Sequence, residues 1–206
     1  MKAADIDLGS DLTLAGPGDA RLIGEISAEA FRNDPFNLWL FGNYAGIRSL
    51  FHFQAKRIYV PRGYCYHLGN DGACMWMMPG DYGHFTQADY AIFAMNTLFR
   101  SGVGAIRRGI RTGEAMGDRH PDFPHAYLFS IGLRPSAQGK GLGRKLIQPV
   151  LDTCDRKGVR AYLENSNPAN TGFYNSCGFQ QVGAPIHPEP GSPPLVPMMR
   201  EPRSPL

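Results

Sequence analysis

The run Gln138-Gly139-Lys140-Gly141-Leu142-Gly143 constrains this chain more than any other. It stands between a strand-like stretch at 127–133 and a helix-like stretch at 142–157. Glycines at alternate positions carry no side chain, so the backbone there can come close to a ligand. The free amides of the first helical turn point at the same place, and the helix dipole favours an anion. The corner is expected to cradle a pyrophosphate.

The surrounding pattern predicts a mixed α/β sheet. Strands are expected at 12–15, at 64–68 and 73–77 (a hairpin turned by Gly69-Asn70-Asp71-Gly72), and at 127–133, 160–165, 179–182 and 195–199. Helices are expected at 19–31, 45–59, 87–99, 103–111 and 142–157, with a kink at Pro149. Asn33-Asp34-Pro35 reads as a helix break, 113–124 as loop, and Asn167-Pro168 as the cap of a short helix that stops at Gly178.

Composition removes several classes. The chain has 206 residues, 43% hydrophobic and 19% charged, which suits one soluble domain with a real core. No apolar run of about 18 residues predicts a membrane span, and the N-terminal residues do not read as a signal peptide, so a cytoplasmic location is expected. The four cysteines form no CxxC pair and are expected to be reduced, with no metal bound. A net charge of +3 gives no reason to expect nucleic acid as a partner.

Three readings compete for the glycine loop. A Walker A loop needs GxxxxGK[ST], and that string does not occur. A dinucleotide fingerprint needs GxGxxG, but Arg144 occupies the place of the third glycine, and the loop falls late in the chain. The third reading is an acyl-coenzyme A site. The loop followed by Asn170, Phe173-Tyr174 and Gly178-Phe179 resembles the GNAT superfamily of N-acetyltransferases, whose motif is (Gln/Arg)-x-x-Gly-x-(Gly/Ala). The segment 125–182 is similar to the branch that includes puromycin N-acetyltransferase. The first 120 residues match loosely, through Asp34-Pro35-Phe36 and Met77-Met78-Pro79-Gly80.

The resemblance implies a single GNAT-like α+β domain over 1–206, with a mostly antiparallel twisted sheet of six to seven strands flanked by helices. Residues 1–124 would form the acceptor side with a helical insertion, and 125–200 the acyl-coenzyme A side. It also implies direct transfer of an acetyl group from acetyl-coenzyme A to a primary amine of a small molecule. A non-catalytic acyl-coenzyme A sensor and a protein N-terminal or lysine acetyltransferase are the alternatives. The expected partners are acetyl-coenzyme A and a small amine, on a monomer or homodimer.

Residue by residue, the amides of Gly139, Lys140, Gly141, Leu142, Gly143 and Arg144 would hold the pyrophosphate, with Gln138 capping the loop. Lys140, Arg144 or Lys145 would meet the 3′-phosphate. The pantetheine arm would pair with Ile131, Gly132 and Leu133 like an added strand, with small Gly132 allowing close approach. By resemblance, Tyr174 assists the departing thiolate and Asn170 contacts the coenzyme's amides. Strand 127–133 carries no carboxylate, so Glu164 is the candidate general base, with Ser130, His120 or His125 as relay groups. Phe31, Phe36, Trp39 and Trp76 are the candidate acceptor-pocket residues, alongside Phe41, Tyr44 and Met78.

Overall fold

The computed structural model describes residues 1–80 and 86–203. Asn33-Asp34-Pro35 ends one helix, α1 (Ala20–Ala30), and also starts another, α2 (Pro35–Phe41). Asp34 accepts a hydrogen bond from the Asn37 amide at 2.8 Å, Pro35 presets the first-turn φ, and Gly42 closes the helix at φ 74°. Sequence reading predicts only the break, and α2 is new. The single helix predicted at 45–59 is α3 (Tyr44–Gln54), then a π-helical turn (Ala55–Tyr59) and a last turn, α4 (Val60–Arg62).

The two predicted pieces at 87–99 and 103–111 lie in the helical segment α5 (Gln87–Gly117), which a kink at Gly102 divides into two helices. A Thr86–Asp89 capping box starts it, and only Gly102 inside it leaves helical geometry, at φ 78° and ψ 177°. The glycine break therefore falls where expected, but the helix continues into the stretch predicted as loop.

Seven strands form one sheet: β1 (Thr13–Leu14), β2 (Tyr64–Leu68), β3 (Gly72–Met77), β4 (Ala126–Leu133), β5 (Ala161–Asn165), β6 (Gln180–Gln181) and β7 (Val196–Arg200). Their order is β1-β2-β3-β4-β5-β7-β6. Every neighbouring pair is antiparallel except β4 and β5. The fold is thus mixed α/β with a mostly antiparallel sheet, as expected.

Each sheet face carries its own core. On one face Tyr66, Cys74, Trp76 and Leu128 pack on Leu146, Ile147, Val150 and Leu151 of α6 (Leu142–Lys157). On the other, Met75 and Met77 pack on Ile23 and Ile26 of α1 and on Ile47 and Phe51 of α3. Each such fully buried aliphatic side chain contributes about 1.5–3 kcal/mol. The helix α6 runs continuously across Pro149.

A bulge in β4 decides which face each residue serves. Met75 pairs with Ser130 and Trp76 with Leu128, which leaves Phe129 as the extra residue. Tyr127 and Phe129 therefore face α1 and α3, whereas Ile131 and Leu133 pack on the α6 side. The four large residues that look like one alternating row in the sequence belong to two different cores.

Candidate active site

The parallel strands β4 and β5 pair only at Ala126↔Ala161 and Tyr127↔Tyr162. Beyond that point the ladder between them ends, while the opposite edge of β4 stays paired with β3 as far as Leu133. The β5-facing backbone groups of residues 128–133 thus line a splay that an extended ligand could fill with strand-like hydrogen bonds. Ile131, Gly132 and Leu133 contribute backbone to this edge. A Cβ built at Gly132 would lie 2.7 Å from the Cβ of Ala30, so the glycine admits α1.

The glycine loop closes the carboxyl end of β4. Gly139 and Gly141 adopt φ values of 75° and 74°, a region that costs any other residue strain. Gly143 is needed for a different reason, because a Cβ there would meet the Phe173 ring at 3.3 Å. Gln138 donates through Nε2 to the Leu133 carbonyl at 3.1 Å and so ties the loop to β4. Leu142 opens α6, and the Arg144 amide of its first turn already donates to the Gly141 carbonyl at 3.1 Å.

Three nearby cations differ in their freedom. Lys140 donates to the Ser136 carbonyl at 2.9 Å, and Lys145 pairs with Asp11. Arg144 donates to the Ser176 carbonyl at 2.7 Å and to the Ser176 hydroxyl at 3.1 Å. Arg144 therefore binds α6 to α7 (Thr171–Ser176), with its guanidinium already committed.

Tyr174 lies in α7, buried on the α6 side of the sheet and packed against Phe173 and Phe179. Burial pushes its phenol above the ordinary tyrosine range, and the charge of Asp34 adds to the shift. Asn170 is exposed just before α7 and makes no side-chain capping bond, while Asn167 caps the preceding turn.

Asp34 is a residue that sequence reading undervalued. Its Oδ2 accepts a hydrogen bond at 2.7 Å from the hydroxyl of Ser166, which directly follows β5. The contact joins the α1–α2 corner to the end of β5. Burial raises the Asp34 carboxyl above its usual range. The available signal was the Asp34-Pro35 pair itself, a cap joined to an N1 proline.

Glu164 sits on β5, on the α1/α3 face, with only 3% of its side chain exposed. His120 Nδ1 approaches its Oε1 at 3.6 Å, and the His120 side chain is 36% exposed. Among the described residues, no hydrogen bond satisfies Glu164 Oε1, the Tyr162 hydroxyl or the Ser130 hydroxyl, although all three atoms are buried. The His120 ring packs against His125, Tyr127 and Tyr162 at centroid distances of 4.9, 5.1 and 5.3 Å. Burial holds the His125 imidazole below the usual histidine range.

The acceptor-side aromatics divide. Phe31 packs on Phe51 at 4.8 Å and Phe36 on Trp39 at 5.3 Å, all within the α1/α3-side cluster. Trp76 belongs to the opposite core. It is fully buried and donates from its indole to the Tyr66 hydroxyl at 3.2 Å. Strand alternation explains the separation, since Trp76 lies between Met75 and Met77, which face α1 and α3. The structure therefore does not bring Trp76 together with the other three.

All four cysteines are free and buried. Among the described residues, no cluster of His, Cys, Asp or Glu could hold a metal ion, and no helix is long and apolar enough to cross a membrane.

Residues 80–179 of the chain match the model of the Acetyltransferase (GNAT) family. An N-acetyltransferase of Schizosaccharomyces pombe is 38% identical over 79 residues, covering 38% of this chain and 32% of its own length. The N-alpha-acetyltransferase RimI of Mycobacterium tuberculosis is 43% identical over 87 residues, covering 39% of this chain and 52% of its own. The chain thus spans a third to a half of these curated relatives. The crystal structure of histone acetyltransferase HPA2 and related acetyltransferase from Corynebacterium glutamicum superposes with a TM-score of 0.67 at 24% identity, over 94% of this chain and 97% of that one. Residues 80–179 are thus similar to the GNAT family of acetyltransferases, and the fold is GNAT-like.

Proposed function

We propose that the chain transfers an acetyl group directly from acetyl-coenzyme A to a primary amine of a small molecule. The two-residue pairing of β4 with β5, followed by the splay, is the observation that carries this reading. The splay offers the pantetheine arm a free strand edge, and the glycine loop at its end offers the pyrophosphate amides and a helix dipole. The finer likeness to the puromycin N-acetyltransferase branch rests on the sequence motifs alone.

The chemistry then divides among residues. A backbone amide of β4 polarises the thioester oxygen, a contribution of about 3–4 kcal/mol for one donor. The amine nitrogen attacks the carbonyl carbon, the carbon–sulfur bond breaks, and the sulfur leaves as thiolate. Tyr174 hydrogen-bonds that thiolate. Its raised pKa makes full proton transfer uphill, so it works as a donor more than as an acid. Glu164 accepts the amine proton, and His120 links this buried carboxylate to solvent.

The second reading is acetylation of protein N-termini, favoured by the likeness to RimI. Thiol release from acetyl-coenzyme A over a panel of small amines and N-terminal peptides tests both. The proposal expects release, with matching acetylated product, for small primary amines. Release with peptides alone would overturn it in favour of the second reading, and acetyl-coenzyme A binding without any release would leave a sensor.

A further inference from the structure

A cavity of about 630 Å³ opens on the α1/α3/α5 side of the molecule, with a wall unlike that of the acetyl-transfer site. Arg21 of α1, Arg48 of α3, Lys56 and Arg57 of the π-helical turn and Arg100 of α5 all line it, and among the described residues no carboxylate does. Two acids lie close by and are already engaged. Glu25 accepts from Arg48 and contacts His52 at 2.7 Å, and Asp89 pairs with Arg57 at 2.9 Å while capping α5. Among the described residues, no ion pair reaches Arg21, Lys56 or Arg100. Gathering these cations around a concave space raises the local positive potential, which a bound polyanion relieves.

Two further observations point to a ligand. The Tyr44 hydroxyl, on the same wall, is buried with no hydrogen-bond partner among the described residues, which leaves a donor unused. The turn that presents Lys56 and Arg57 is π-helical, a rare geometry that recurs at functional sites. It keeps Ile58 and Tyr59 in the core while both cations stay exposed.

The cavity cannot be the coenzyme's pyrophosphate cradle. It belongs to helices packed on the Met75 and Met77 face, whereas the glycine loop opens α6 on the other. Its volume lies in the small-molecule range. We propose that it binds a small molecule carrying two or more phosphate groups, at a site separate from the acetyl-transfer site.

Calorimetric titration of the full chain with tripolyphosphate, with and without saturating acetyl-coenzyme A, tests this. The expected result is one tripolyphosphate per chain that acetyl-coenzyme A does not displace. Lys56→Glu with Arg100→Glu should weaken it at least about tenfold, while acetyl-coenzyme A affinity holds. The neutral pair Lys56→Gln with Arg100→Gln should give a smaller loss of the same kind, which guards against misfolding of the charge-reversed form. Tighter binding of ATP than of tripolyphosphate would name a nucleotide as the source, and equal binding an inorganic or sugar phosphate. Full displacement by acetyl-coenzyme A, no binding, affinity unchanged in both variants, or preference for an RNA oligomer over either small probe would overturn the proposal.

Discussion

On the α6 face of the sheet, buried polar groups are paired: Tyr66 donates to the Leu146 carbonyl at 2.5 Å, Trp76 to Tyr66, and Arg200 to both oxygens of Asp155 at 2.7 Å. On the α1/α3 face, buried oxygens of Ser27, Tyr44, Gln54, Ser130, Tyr162 and Glu164 have no hydrogen-bond partner among the described residues. A buried group left unsatisfied costs about 1–3 kcal/mol, so a face that leaves several unsatisfied is not built for stability alone. Under the proposed function, the α6 side would supply the scaffold and the thiolate contact, and the other side proton handling and acceptor recognition.

The strongest way to break this division is at Tyr174. In Tyr174→Phe, turnover should fall roughly a hundredfold or more while acetyl-coenzyme A binding by calorimetry stays intact. A turnover equal to wild type would remove the α6 face from the chemistry. Next comes Glu164→Gln. Its loss should reach roughly a hundredfold at low pH and shrink as pH rises toward the acceptor's own pKa, because a free amine no longer needs a base. A loss that is constant across pH would make Glu164 a structural residue.

Gly132→Val sharpens the contrast at the meeting of β4 and α1. The added side chain meets Ala30, so chemical denaturation should show a loss of about 1–3 kcal/mol. Ala30→Gly should recover part of it in the double variant. Failure of that rescue would return Gly132 to the coenzyme.

The smallest effect concerns Glu25. Its hydrogen bond to Arg48, helped by His52, holds its carboxyl down at about 2 instead of 4.5. A depressed folded pKa stabilises above the unfolded value and loses that contribution as pH falls toward the folded one. The partners are partly exposed, so the gain is about 0.2–1 kcal/mol. The melting-temperature gap between wild type and Glu25→Gln should therefore be open at pH 7 and close between pH 4.5 and 2.

The sequence revealed these regions unequally. In the second half the signals are local: a strand, glycines that need positive φ, a helix, and then Tyr174 at fixed spacing. The four strands of that half, β4 to β7, follow from them. Three features were hidden. The Phe129 bulge breaks an alternation that looks perfect in the sequence, because a bulge is a property of the pairing with β3. The helix α2 was masked by Asp34-Pro35, which signals a stop and a start with the same residues. The separation of Trp76 from Phe31, Phe36 and Trp39 depends on which sheet face each residue meets, and composition does not carry that. The cationic cavity draws on four segments spread over residues 21 to 100, each an ordinary charged helix surface alone.

The division of labour between the two faces is tested most directly by one paired measurement. Steady-state acetyl transfer to a small primary amine is followed across pH in wild type, Tyr174→Phe and Glu164→Gln, with acetyl-coenzyme A affinity measured alongside. The account predicts unchanged affinity in both variants, a pH-independent loss for Tyr174→Phe, and a loss for Glu164→Gln that fades as pH rises. Two variants with the same pH dependence, or weakened acetyl-coenzyme A binding in Glu164→Gln, would contradict it.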